Sequence, residues 1–186
     1  PGYPLHEIFS GPFVLLGGSF LSNCATLFAS LFLLVAWYRL VERDTVSPKV
    51  LTFLLAFTPL FWINSAATID YVWSLLCIIL SLSAVRHKKA IAGGLWLGCA
   101  IGFRLTNGVA VVPLFMLLYL SSVPMRAFVL FILSAIASSL VAFSPVLFTY
   151  GLTGWIQRTF SETSDAHLPF VQRLLSFSYR SLYGLG

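Results

Sequence analysis

Residues 127–150 carry no charged side chain and are apolar apart from small polar residues and one proline, a stretch that suits a bilayer better than water. Five shorter apolar runs precede it, at residues 17–38, 50–68, 70–85, 90–103 and 107–121. A spanning helix needs roughly 20 mostly apolar residues, so the third to fifth runs are short. Short helices persist in membranes where neighbours bury them or where their ends open into an aqueous cavity. The pattern predicts an all-α fold: a polytopic transmembrane helix bundle of about six spans. Composition agrees, since 9% of the 186 residues are charged, against about 25% in a soluble domain. A soluble enzyme, a nucleic-acid module and a disordered tail are excluded on that ground, and no nucleic-acid partner is expected.

The basic residues set an expected sidedness. The segments 39–49 and 86–89 together with Arg126 hold seven of the eleven Lys and Arg residues, which marks their face as cytoplasmic. The outer face then receives residues 1–10, 64–70, 104–107 and everything after Tyr150. The expected division is a transmembrane core at 1–150 and an outer-side amphipathic tail or lid at 151–186. In that tail Phe170, Val171, Leu174, Leu175 and Phe177 recur at helical spacing between Gln172, Arg173 and Arg180. Cys24, Cys77 and Cys99 lie inside apolar runs without metal-ligand or Cys-x-x-Cys spacing and read as small buried hydrophobes. The chain begins at Pro1 without Met and ends after a polar segment, and it is read as an internal piece of a longer protein.

In such a chain the polar exceptions carry the information, because a charge at membrane depth costs several kcal/mol and usually faces a cavity or a partner. Four places stand out. Pro1-Gly2-Tyr3-Pro4 fixes a turn from which His6 and Glu7 enter a helix, either as acid/base groups or as an interfacial helix start. Asn64-Ser65-Ala66-Ala67-Thr68-Ile69-Asp70 sets Asp70 where a helix opens, either as a cap or at a wet cavity rim that Asn64, Ser65 and Thr68 share. Arg104, followed by Leu105, Thr106 and Asn107, interrupts an apolar stretch at the end of the fourth run. It either snorkels to the headgroups or grips a phosphate through its planar fork of donors. Finally Gly94, Gly98 and Gly102, spaced by four beside Gly93, predict a helix face that another helix approaches closely.

These positions resemble the GT-C class of membrane glycosyltransferases, a group that includes protein O-mannosyltransferases and aminoarabinose transferases. Three elements carry the resemblance across about residues 1–120: Pro1–Pro4 leading into a span, Asp70-Tyr71-Val72-Trp73 opening an outer-side helix, and the glycine-rich segment 92–106 that ends in Phe103-Arg104-Leu105-Thr106. It implies transfer of a sugar from a polyprenyl-phosphate-linked donor to a lipid, glycan or protein acceptor on the outer face. The implied setting is the plasma membrane of a bacterium or archaeon. The family's acidic base would precede Pro1, so no catalytic base is placed in this sequence. His6, Glu7 and Asp70 are implied accessory groups, Arg104 a donor-phosphate ligand, and Tyr3, Asn64, Thr106 and Asn107 cavity-lining residues. The family varies in its use of a divalent metal, and no metal ligands are assigned.

Two other classes remain open on the residues alone. A transporter or flippase for a lipid-linked or anionic substrate would use Asp70 and Arg104 in its cavity, with repeats and broken helices near the midplane. A non-catalytic membrane subunit would leave Arg104 and His6-Glu7 without a role.

Overall fold

A computed structural model describes residues 4–42, 47–121 and 123–165, except for the side chains of 156 and 158–165. Among the described residues every regular element is helical: α1 Pro4–Val41, α2 Pro48–Ala56, α3 Pro59–Ala66, α4 Asp70–Arg86, α5 Ala90–Phe103, a 3₁₀ segment Leu105–Ala110, α6 Val111–Leu120 and α7 Met125–Asp165. Among the described residues two helices are long and apolar enough to cross a membrane, α1 and the Met125–Trp155 part of α7, and a third crossing arises if the bent pair α2–α3 is counted as one. The expectation of about six spans is therefore corrected. At 1.5 Å per residue, the 17 residues of α4 and the 14 of α5 reach about 25 and 21 Å, short of a hydrocarbon core of about 30 Å.

One of the expected runs is broken by its own sequence, and another begins at a break. The helix expected to begin near His6 starts at Pro4 and is interrupted at the first residues of the first run, where Gly18 adopts φ 62, ψ −153, a conformation essentially restricted to glycine. The second run is split at Thr58-Pro59, because Thr58 is held extended before the proline ring and Pro59 has no N–H to continue the ladder. The result is a 61° bend between α2 and α3.

The chain divides into two compact units, Pro1–Pro145 and Val146–Gly186. In the second, the described part is the continuation of α7 to Asp165, with a non-helical break at Gly151 (φ 66, ψ 171). The expected amphipathic stretch at 170–180 lies outside the described residues.

In the first unit side-chain contacts fix the directions of the helices. Asn23 and Thr26 of α1 meet Thr68 and Trp73 at one end of α4, and at the other end Arg86 donates to the Leu40 carbonyl, so α1 after its break runs parallel to α4. Helices α4 and α5 form an antiparallel hairpin through a turn in which Lys88 has φ 58, and the Ser81 hydroxyl donates to the Gly93 carbonyl at 2.7 Å. Helix α7 then lies along the glycine face of α5. A Cβ at Gly98 would stand 2.5 Å from the Ala135 carbonyl oxygen, and one at Gly102 the same distance from the Ala142 Cβ. The expected close helix approach is thus present, between α5 and α7. The largest buried cluster forms around Val85, Leu97, Leu114, Leu118 and Phe131.

The unit buries hydroxyls and exposes hydrocarbon. Ser22, Thr26, Ser30, Ser74 and Ser81 are buried, whereas Leu15, Leu16 and Phe20 are 76–88% exposed. Thr26 and Ser30 satisfy their hydroxyls on the carbonyls one turn back, which lets a stripe of small residues pack without an orphaned donor. This distribution, with the two long apolar helices, is compatible with a membrane protein.

Candidate functional site

The antiparallel α4–α5 hairpin brings the first residue of α4 level with the residue that ends α5. Asp70 opens α4, and Ile69, not Asp70, occupies the cap position with extended backbone. The Asp70 carboxylate faces Arg104: Nη1 lies 3.2 Å from Oδ2 and 3.5 Å from Oδ1. Only the longer contact has hydrogen-bond alignment, and Oδ2 is enclosed without a hydrogen bond. The pair is therefore mainly coulombic. It sits where little water screens it, with the two side chains 9% and 19% exposed.

Arg104 is held by more than this charge. Its guanidinium carbon stands 3.9 Å from the centroid of the Tyr71 ring, a cation–π contact. Its backbone N–H donates to the Ala100 carbonyl at 2.9 Å and its carbonyl accepts from the Asn107 N–H at 3.0 Å. The Asn107 side-chain amide donates to the same Ala100 carbonyl at 2.8 Å. Asn107 thereby ties the 3₁₀ segment onto the last turn of α5 and fixes the backbone from which Arg104 projects.

Beside this pair lies a cleft of about 450 Å³ between the bent α2–α3 pair, α4 and the 3₁₀ segment. Arg104, Tyr71, Asn64, Thr106 and Asn107 line it together with an apolar wall that includes Phe61 and Ile78. Four of the residues expected at a cavity thus share one cleft, with Asp70 in contact with its cation. Asn64 spends its amide donor on the Leu60 carbonyl at 2.7 Å, so it shapes the wall by holding the last turn of α3.

His6 and Glu7 are brought to the same end of the bundle but do not line this cleft. Leu5 packs with Ala100, Phe103 and Trp73, and Phe9 lies 5.8 and 5.9 Å from the Phe103 and Trp73 rings. Tyr71 and Trp73 are two residues apart, about 200° around a helix, so the cleft and the start of α1 lie on different faces of α4. His6 Nε2 is enclosed without a hydrogen-bond partner. Tyr3 lies outside the described residues. Among the described residues no three His, Cys, Asp or Glu side chains gather as metal ligands would.

Sequence reasoning assigned no role to Tyr71 or to the Asn23–Thr68 hydrogen bond at 2.5 Å, which joins α1 to the segment before α4. An aromatic directly after an opening Asp was visible. Its partner is a residue of the next helix, which local pattern does not show.

No protein-family model matches the chain, and no curated protein or solved structure matches it. Function rests on the site itself.

Proposed function

We propose that the chain forms part of a membrane transferase that moves a sugar from a polyprenyl-phosphate-linked donor to an acceptor, on the extracytoplasmic side of a bacterial or archaeal plasma membrane. The observation that carries this reading is Arg104, fixed by Asp70 and Tyr71, at an apolar cleft of about 450 Å³. A lipid-linked phosphate needs both halves of such a site. Its hydrocarbon belongs against Phe61, Leu75 and Ile78, and its phosphate oxygens belong on a guanidinium. A cation at the phosphate stabilises the charge that develops as the sugar–phosphate bond breaks. None of the described carboxylates is assigned as the base that activates the acceptor hydroxyl: Asp70 is engaged by Arg104, and neither Glu7 nor Glu42 lines the cleft. The sidedness rests on Arg39, Arg86, Lys88, Lys89 and Arg126, which the helix directions place at the opposite end of the unit.

The test is transfer of radiolabelled sugar from polyprenyl-phosphate donors by the full-length protein in proteoliposomes. Arg104→Ala should lower transfer about 100-fold or more, with the amount inserted in the membrane unchanged. Full transfer by that variant would remove the assignment. The bend at Thr58-Pro59 favours a second reading, because a broken helix beside a cleft is a recurring feature of transporters. Movement of the labelled lipid between leaflets without any sugar transfer would select it.

A further inference from the structure

The neighbours that hold Arg104 also fix the charge of the cleft. Among the described lining residues Arg104 is the one cationic side chain, and Asp70 places a carboxylate 3.2 Å from it, so the two charges cancel. Tyr71 contributes its ring face, which orients the guanidinium without adding charge. The opposite wall, through Leu55 and Phe61, offers hydrocarbon. A ligand phosphate with one negative charge can trade hydration for the Arg104 fork. A second negative charge gains little from a pair whose field cancels, and still loses its water on entering an apolar wall.

We propose that Asp70 and Tyr71 are positioning residues that preset Arg104 as a receptor for a singly charged phosphodiester and select against phosphomonoesters and diphosphates. The proposal rests on the reading of Arg104 as an anion-binding group and deepens it by fixing the ligand's charge. Asp70 sets the selectivity by cancelling charge, and Tyr71 sets the affinity by holding the guanidinium over its ring. Asp70 does not line the cleft itself, so it acts through Arg104.

The experiment is calorimetric binding to the full chain in detergent at pH 8, with hexyl methyl phosphate, hexyl phosphate and hexyl diphosphate as probes. Each has one hydrocarbon chain, and at this pH hexyl phosphate is doubly charged. The wild type should bind the diester about tenfold tighter than the monoester, and the diphosphate should bind weakest. Asp70→Asn should bring the monoester level with the diester or ahead of it, because the Arg104 charge is no longer answered. Tyr71→Leu should weaken the diester about tenfold, and Tyr71→Phe, which keeps the ring, should restore it. A role confined to folding would not change the order of the probes. Dimethyl phosphate tests the source of the ligand: binding as tight as the hexyl diester points to a free phosphodiester, and weaker binding to a lipid one.

Wild-type preference for the doubly charged monoester would overturn the proposal without recourse to any variant. So would an unchanged probe order in folded Asp70→Asn, or wild-type affinity in Tyr71→Leu. In each of these cases Arg104 still stands as an anion site. No binding of any probe removes that reading as well. Diester binding with no sugar transfer keeps the receptor and removes the transferase.

Discussion

Arg104 Nη1 and Asp70 Oδ2 lie 3.2 Å apart across 34 positions of sequence, because two helices of similar length fold back on one another. The turn at His87–Lys89 is short, α4 and α5 differ by three residues, and the start of one therefore meets the end of the other. Removing Arg104 strands a carboxylate that is 9% exposed. Arg104→Ala should cost about 2 kcal/mol, less than a fully enclosed pair because Arg104 keeps some water. Asp70→Asn combined with Arg104→Ala should cost less than the sum of the single changes, as read from denaturant titrations in detergent. Strict additivity would show that the two side chains are not coupled.

The glycines of α5 should differ sharply from a glycine a few residues on. A Cβ at Gly98 meets the Ala135 carbonyl oxygen and the Ser138 Cβ, each at 2.5 Å, so Gly98→Ala must push α7 away and should cost about 2 kcal/mol. Gly108 has nothing within 4 Å of the same position, and Gly108→Ala should change stability by less than about 0.5 kcal/mol. Thermal melts of both variants in one detergent decide this; equal losses would contradict the packing of α7 on α5.

Asn107 should be more than a wall residue. Its amide donates to Ala100 at 2.8 Å, a bond that Asp cannot make because an ionised carboxylate has no donor. Asn107→Asp should therefore lose about 1 kcal/mol and weaken phosphodiester binding by letting Arg104 move. Asn107→Gln keeps a donor on a longer arm and should fall between the two. Wild-type binding by Asn107→Asp would show that the Arg104 backbone does not depend on this tie.

Much of the helix pattern was legible in the residues. Ala90–Phe103 and the start of α4 at Asp70 follow from apolar runs bounded by charge, and Gly94, Gly98 and Gly102 announced the close approach of another helix, which is α7. The number of crossings was not legible, since α5 and the segment Leu105–Leu120 are apolar enough to resemble spans and too short to be long ones. The break at Pro59 has a local signal, a residue before proline, inside a run whose apolar flanks read as one span. The Asp70–Arg104 pair and the Tyr71 cation–π contact depend on the register of a hairpin, which no local pattern encodes. Of the two readings of Asp70, the cap is not what the structure shows, since Ile69 holds that position, and beside the cleft Asp70 stands as the counterion of its cation.

The central claim, that one rim of the bundle forms a pocket opening to one side of a membrane, is tested most directly by cysteine labelling in sealed vesicles. In a background lacking Cys24, Cys77 and Cys99, single cysteines replace Glu7, Asn64 and Thr106 at the Arg104 end, and Arg39 near the end of α1 and Arg126 at the start of α7 at the other. A membrane-impermeant maleimide should label the first three from one side only and the last two from the opposite side only. Labelling of Thr106 and Arg39 from the same side, or of Glu7 and Thr106 from opposite sides, would contradict the account.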